Sequence, residues 1–152
     1  MDEFEKLYRK DQYHISRWEK NYSDEEFYAI NWKIRKSLEK LLSKSKKLTP
    51  RQKFICAMIY HHGFKIQYSK KALKYVKEAQ KEGYNRQKWL IGSIIDRLLQ
   101  LKGKPQKYGT QIVKLKNGKY KQYKLDNSIS DEERVKLGFP KLKELKKYLE
   151  SC

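Results

Sequence analysis

The stretch that decides the fold is Trp89-Leu90-Ile91-Gly92-Ser93-Ile94-Ile95-Asp96-Arg97-Leu98-Leu99-Gln100-Leu101. Its apolar side chains recur every three or four residues, the period of an α-helix, and they form the broadest apolar stripe in the chain. Asn85 can cap the start of this helix, and Gly103 can end it. The breadth of the stripe predicts a central, well-buried helix.

Helix-start signals recur on both sides of this stretch. Ser23-Asp24-Glu25-Glu26 is a capping box, and Thr49-Pro50-Arg51-Gln52 places a proline at the first helical position. Apolar residues at helical spacing follow both starts. The predicted helices cover residues 3–20, 24–41, 50–62, 69–82, 85–102, 130–137 and a last segment from Pro140.

The residues 111–125 change to the alternating period of β-strands, with Asn117-Gly118 between the two runs. This dipeptide predicts a β-hairpin with a two-residue type I′ turn. The turn would pair Lys116 with Lys119, Leu115 with Tyr120, Lys114 with Lys121, and Val113 with Gln122. Val113, Leu115 and Tyr120 would then face the core, and the lysines would gather on the opposite face.

A face made of Lys114, Lys116, Lys119 and Lys121 has two interpretations. Like charges opposite each other destabilise a strand pair, and an anionic ligand or a phosphate backbone would relieve that repulsion. Alternatively, lysines on an exposed ribbon prevent the addition of a further strand. The segment 97–125 contains no acidic residue, which favours a surface that faces an anion.

These patterns predict a mainly α fold of six to seven helices around one core, with a single β-hairpin near residues 111–125, in a single domain 1–152. No apolar run approaches the roughly 20 residues that a bilayer crossing needs. The beginning, Met1-Asp2-Glu3-Phe4-Glu5, lacks the apolar stretch of a signal peptide. We therefore expect a cytoplasmic protein with no membrane partner.

The net charge of +19 favours anionic partners such as nucleic acid, nucleotides or an acidic protein. The alternative is that most of the 37 basic residues are lysines on solvated helix faces. Cys56 and Cys152 are far apart in the chain and predict free thiols. His61 and His62 are adjacent and would point about 100° apart on a helix, which makes a poor metal pair. We therefore expect no metal and no cofactor.

Two polar features interrupt apolar helices. His61 lies seven residues after Phe54, so helical spacing turns it inward, either as a hydrogen-bonded core residue or as a catalyst. Asp96 and Arg97 are neighbours on a helix and cannot face each other, so each should bond to the following loop, residues 103–111. That loop either cradles an anion with its backbone N–H groups or is a structural loop that satisfies these two side chains.

Asp96-Arg97 followed by Gly103-Lys104-Pro105-Gln106-x-Tyr108-Gly109-Thr110-Gln111 resembles the signature of an uncharacterised bacterial family, domain of unknown function 6624. The resemblance extends over most of the chain. Its further matches are Asp11-Gln12, Tyr60-His61, Glu132-Glu133-Arg134 and Gly138-Phe139. The chain departs from the family in having Tyr60 where a glutamine is typical. The resemblance implies a site but no reaction.

We therefore expect one polar pocket for an anionic ligand, a nucleotide or an RNA-like molecule. Metal-free phosphodiester chemistry would use His61 as acid or base, Asp96 as its orienting carboxylate, Arg97 as anion clamp and Tyr108 as second acid. The ligand-binding residues would be Asp11, Gln106, Thr110, Gln111, Lys114, Lys116, Lys119 and Lys121. The alternative is a non-enzymatic protein that sequesters a nucleotide or binds nucleic acid, and the residues do not decide whether the protein is an enzyme.

Overall fold

The computed structural model describes residues 1–17 and 23–150, with only the backbone of residues 149 and 150. The chain divides into two compact units, Met1–Asn85 and Arg86–Cys152. The single domain 1–152 stays a prediction. None of the described helices combines the length and the apolar character that a bilayer crossing demands.

Within its described residues, 1–17 and 23–85, unit 1 contains four helices. Their bounds are α1 Glu3–Ser16, α2 Asp24–Lys44, α3 Pro50–His61 and α4 Ile66–Lys81. Both start signals act as the sequence indicates, because the side chains of Ser23 and Thr49 accept hydrogen bonds in complete capping boxes. The predicted first helix extended to Lys20, but α1 ends at Ser16, and Lys20 lies outside the described residues.

Helix α3 is the core of unit 1. It contacts the other three helices, and every side chain from Phe54 to His61 is buried. The buried set includes Cys56, whose thiol is free as predicted, while Cys152 lies outside the described residues. Because α3 is buried on all sides, its apolar residues do not form a stripe on one face. A one-sided stripe is the pattern by which a sequence usually reveals a helix that packs on a core.

Unit 2 contains three helices and a hairpin within its described residues 86–150. Their bounds are α5 Trp89–Leu101, β1 Ile112–Lys114, β2 Tyr120–Gln122, α6 Asp131–Lys136 and α7 Leu142–Glu150. Helix α5 begins at Trp89, so the predicted cap at Asn85 is wrong and a turn precedes the helix. The predicted α class with one hairpin is confirmed, with seven helices among the described residues.

The predicted hairpin register is wrong by one residue. Lys114 lies opposite Tyr120 and Val113 opposite Lys121. The loop has three residues, since the Leu115 N–H donates to the Lys119 carbonyl at 2.7 Å. Only Gly118 has a positive φ in this loop, +81°, whereas a type I′ turn needs two such residues.

The shifted register separates the lysines. Lys114 shares a face with Tyr120, and its Nζ lies 6.0 Å from the centroid of that ring. Lys121 shares the other face with Val113. Leu115, predicted to face the core, is 41% exposed. The described hairpin therefore has no face made of four lysines, although all four side chains are exposed.

Candidate functional site

The Asp96 carboxylate is the most completely bonded polar group of unit 2. Oδ1 accepts from the backbone N–H groups of Lys107 (2.7 Å) and Tyr108 (3.0 Å). Oδ2 accepts from the Thr110 N–H at 3.0 Å and from the Thr110 hydroxyl at 2.8 Å. Asp96 is 0% exposed, so these bonds replace its hydration. The prediction that Asp96 bonds to the following loop is confirmed.

Arg134 binds the same loop through the carbonyl groups. Its guanidinium, in a residue that is only 1% exposed, donates to the carbonyl oxygens of Tyr108 and Lys107. Asp96 therefore holds the N–H groups and Arg134 the C=O groups of residues 107 and 108. The peptide groups of these residues thus point their positive ends at the Asp96 carboxylate and their negative ends at the Arg134 guanidinium. This arrangement reduces the free-energy cost of burying the two opposite charges.

Two glutamines connect the loop to the hairpin. The side chain of Gln106 donates to the carbonyls of Gln111 and Tyr123, each at 2.9 Å, and accepts from the Gln111 N–H at 2.8 Å. Arg97 Nε donates to Gln111 Oε1 at 2.6 Å, which confirms the predicted bond of Arg97 to the loop. The side-chain amide of Gln106 thus connects the loop with the hairpin in the way that a backbone peptide group would, by donating to carbonyl groups and accepting from an N–H group.

Close packing fixes the middle of the loop. The Tyr108 ring stacks on Phe139 with centroids 5.5 Å apart, and Gly92 makes room for both rings. Gly109 has a φ of +81°, and a Cβ there would lie 2.5 Å from Leu145 Cδ2. Burial, and then the nearby Asp96 carboxylate, raise the pKa of Tyr108, so its hydroxyl stays protonated.

Of the two interpretations left open for residues 103–111, the hydrogen bonds favour the structural one. Asp96 occupies the backbone N–H groups of Lys107, Tyr108 and Thr110 that would otherwise cradle an anion. The sequence-based reasoning did not assign Arg134 to the site. The one sequence feature that pointed to Arg134 was its position in a segment that resembles the bacterial family. Nothing in the neighbouring residues indicates that an arginine in a short acidic helix turns inward.

Unit 1 holds a second buried carboxylate, that of Asp11. Its Oδ2 lies 2.9 Å from His62 Nδ1 and accepts from Gln12 Nε2 at 3.1 Å. Its Oδ1 is buried and has no hydrogen-bond partner among the described residues. The backbone of His62 is held in turn by Asn31, whose amide donates to the His62 carbonyl at 3.1 Å.

Two of the three histidines, His62 and His14, interact with Asp11, and the third, His61, lies beside His62. His61 is buried, as predicted, and its ring centroid is 5.8 Å from that of His62. The His14 ring stacks on Phe27 at 4.7 Å. Burial lowers the pKa of His14, against the opposing effect of the Asp11 charge. His62 was missed because it is the C-cap of α3, one residue beyond the helix, where helical spacing no longer predicts direction.

A groove lies between α1 and α2 in unit 1. It has a volume of about 960 Å³, and a neighbouring cavity of about 300 Å³ shares Leu7, Lys10, Tyr13 and Ser37 with it. The basic residues that line the two are Lys6, Arg9, Lys10, Lys33, Lys40 and Lys44. Glu3 is the one acidic residue in the lining. We call these two connected cavities the basic groove.

The floor of the basic groove is apolar and aromatic. Leu7 and Leu41 line its wider part, and Ile30 and Ile34 its narrower part. Tyr13 is 56% exposed at the junction, with the Arg17 guanidinium 4.4 Å from its ring centroid. The groove therefore offers apolar and aromatic surface between the basic residues of α1 and those of α2.

The structure places the predicted site residues in both units. Asp11 and His61 belong to unit 1, and Asp96, Arg97, Gln106, Tyr108, Thr110, Gln111 and the four lysines belong to unit 2. Within unit 2, Asp96, Thr110, Gln111 and Arg97 form one hydrogen-bonded chain. One pocket shared by His61 and Asp96 stays a prediction. In the described part of the chain, no three His, Cys, Asp or Glu side chains are arranged to hold a metal ion.

No known protein family, curated protein or solved structure matches the chain. The resemblance to domain of unknown function 6624 therefore rests on the quoted residues alone and stays a prediction. The function has to be argued from the two carboxylate clusters and the basic groove.

Proposed function

We propose that the protein binds single-stranded nucleic acid along the basic groove. The observation that carries this proposal is the lining of the groove, six basic side chains with one acidic residue above an apolar floor. The net charge of +19 adds a long-range attraction for any polyanion. Proteins that bind single strands combine a positive track for phosphates with aromatic faces on which bases stack.

The shape of the lining favours a single strand over other anions. A free phosphate or a nucleotide would use two or three of the cations, whereas those of the groove extend from Lys6 to Lys10 on α1 and from Lys33 to Lys44 on α2. A duplex presents phosphates outward and keeps its bases stacked inside, so it would leave Tyr13 and the apolar floor without partners. An acidic helix from a protein partner is the competing occupant, and the test below includes it.

The test compares three variants that each remove four positive charges. The groove variant replaces Lys10, Lys33, Lys40 and Lys44 by Gln. The hairpin variant replaces Lys114, Lys116, Lys119 and Lys121, the ligand-binding lysines predicted from the sequence. The control variant replaces Lys70, Lys74, Lys77 and Lys81, which are exposed on α4 and line neither cavity.

Fluorescence anisotropy with a labelled single-stranded RNA, measured across salt concentrations, separates the sites. We expect the groove variant to lose most of the affinity and to flatten the plot of log K against log salt by up to about 0.7 per lost phosphate contact. The hairpin and control variants should show smaller and similar effects. Equal losses in all three would contradict a defined site, and a larger loss in the hairpin variant would move the site to unit 2.

An acidic helical peptide and a duplex of the same sequence serve as competing ligands. If the peptide binds the groove more tightly than the single strand does, the proposed nucleic-acid function is wrong and the groove is a protein-binding surface. Replacing Tyr13 by Ser should weaken binding of the single strand through lost stacking, worth about 1–3 kcal/mol per base. That change should leave the salt dependence unaltered, because no charge is removed.

A further inference from the structure

The hydrogen bond between Asp11 and His62 has the arrangement of an acid–base dyad. An ionised carboxylate can only accept, so the Nδ1 atom 2.9 Å from Asp11 Oδ2 carries the proton of a neutral His62 ring. The lone pair is then on Nε2, the nitrogen that the carboxylate leaves available. The His62 side chain is 15% exposed, whereas that of Asp11 is 1% exposed. A buried carboxylate thus orients a histidine that solvent and a ligand can reach.

We propose that His62 is the general base of a metal-free RNA-cleaving site and that Asp11 is its positioning residue. The choice of RNA as substrate rests on the proposed function, because the basic groove is what would hold the phosphates. The dyad replaces the pairing of His61 with Asp96 that the sequence predicts. Asp96 already accepts from three backbone N–H groups and one hydroxyl of its own unit.

The incomplete bonding of Asp11 supports a role beyond stability. A buried carboxylate normally has both oxygens bonded, since an unsatisfied buried acceptor costs free energy. Asp11 Oδ1 is buried without a partner among the described residues, and Oδ2 accepts only from side chains, those of Gln12 and His62. A buried carboxylate oxygen without a partner needs an explanation other than stability, and binding of a ligand or a change of charge nearby supplies one.

His14 connects the dyad with the basic groove. It lines the narrower cavity of the groove, beside Lys10 and Tyr13. Its imidazole also lies within electrostatic range of both Asp11 and His62. A strand that follows α1 along the groove therefore approaches the dyad at the carboxyl-terminal end of that helix.

The reaction needs no co-reactant. His62 Nε2 removes the proton of a ribose 2′-hydroxyl, and the 2′-oxygen forms a bond to the adjacent phosphorus. The bond between phosphorus and the 5′-oxygen breaks, its electron pair stays on that oxygen, and the oxygen takes a proton from water. The hydroxide left behind removes the proton from the His62 imidazolium, which restores the neutral base. The products are a 2′,3′-cyclic phosphate and a 5′-hydroxyl. The buried Asp11 carboxylate stabilises the imidazolium that forms during the step.

The experiment uses the full chain and a labelled single-stranded RNA, with a 2′-O-methyl RNA of the same sequence as the matched substrate. Both are incubated in excess EDTA, and the products are resolved on a denaturing gel. We expect cleavage of the RNA to a 2′,3′-cyclic phosphate and no cleavage of the methylated strand, which lacks the proton that His62 removes. Bound RNA that stays intact would overturn the dyad.

Variants test the assignment of the base. We expect His62→Gln to lower the cleavage rate by at least about 100-fold, the usual contribution of a general base, with unchanged RNA affinity. Cleavage that persists in His62→Gln, or that disappears only in His61→Gln, would overturn the proposal. Circular dichroism and the melting temperature of each variant show whether it is folded. Should His62→Gln not fold, the Asp11 variants and the methylated substrate decide.

Asp11 acts through His62, so its variants need a measurement that would stay the same if Asp11 only stabilised the fold. The pH profile of cleavage is such a measurement. We expect Asp11→Asn to lower the rate and to change the pH profile of cleavage, because an amide does not stabilise the imidazolium. Asp11→Glu keeps the charge and should recover part of the rate. Failure of the wild type to bind either strand would contradict the proposed function itself. Binding without cleavage would contradict only this inference.

Discussion

The two units each bury one aspartate, and the two carboxylates differ in how fully they are bonded. Asp96 in unit 2 is 0% exposed and accepts from three backbone N–H groups and a hydroxyl. Asp11 in unit 1 is 1% exposed, accepts only from side chains, and has one oxygen without a partner among the described residues. Equal burial therefore does not mean an equal role.

The partners explain the difference. Backbone N–H groups cannot turn away without a change in the fold. A carboxylate that accepts from several of them therefore holds the loop in one conformation and stabilises the folded protein. Side-chain partners such as His62 can rotate, change charge or exchange for a ligand. We infer that Asp96 stabilises unit 2, whereas the bonding of Asp11 leaves it available for the role proposed above.

The largest effect is expected for Asp96→Asn. An amide offers one acceptor oxygen and brings a new donor toward loop N–H groups that also donate. Several buried donors would lose their partner, at about 1–3 kcal/mol each, so the free energy of unfolding should fall by about 3 kcal/mol or more. Urea unfolding measured by circular dichroism tests this. Glu132→Gln, an exposed carboxylate in α6, is the matched control and should change stability by less than about 0.5 kcal/mol.

An intermediate effect is expected from pH, and it should arise in unit 1. Burial lowers the pKa of His14 below the ordinary value of 6.5, so the unfolded chain binds a proton at a higher pH than the folded protein does. Stability should therefore decline as the pH falls below 6.5 and level off once the folded His14 is also protonated. The ionisable side chains that act on His14 from neighbouring positions are those of Asp11 in α1 and of His62, the residue after α3.

Replacing His14 by Phe isolates its share of this pH dependence. A phenyl ring keeps the stacking on Phe27 but cannot be protonated. Unfolding curves between pH 5 and 8 (about the range over which an imidazole changes charge) should then be flatter for the variant than for the wild type. The same slope in both would assign the pH dependence to other groups and would contradict the burial argument.

The smallest effect on stability is expected for Asp11→Asn. The change removes a buried charge and weakens the two hydrogen bonds that Asp11 Oδ2 accepts, because an amide oxygen is a weaker acceptor than a carboxylate oxygen, and these contributions oppose each other. The free energy of unfolding should change by less than about 1 kcal/mol, in either direction. A loss as large as that of Asp96→Asn would remove the contrast between the two carboxylates, and Asp11 would then be a structural residue like Asp96.

The sequence predicts most of the secondary structure because local signals fix it. The capping boxes at Ser23 and Thr49 begin their helices where expected, and Gly63, Gly83 and Gly103 follow helices that end just before them. The hairpin is also predicted, but its register is not. Asn117-Gly118 suits a two-residue turn, yet Asn117 keeps a negative φ, and the three-residue loop moves every cross-strand pair by one position.

The candidate site is predicted only in part. Asp96 and Arg97 are neighbours on a helix, and this local feature predicts that both bond to the next loop, which is confirmed. The identity of the distant partners is not local. Arg134 reaches the loop from 27 residues away, and His62 reaches Asp11 across 51 residues.

The sequence by itself determined the helical class, the helix starts at the two capping boxes, the inward direction of His61 and the large positive charge. These follow from spacing, capping and composition, which act over a few residues or over the whole chain. Only the tertiary structure decided which carboxylate is saturated, which histidine contacts Asp11, and that α1 and α2 form a basic groove. Those features depend on side chains from separate helices meeting in space, and helix packing sets such distances with a precision that periodicity does not carry.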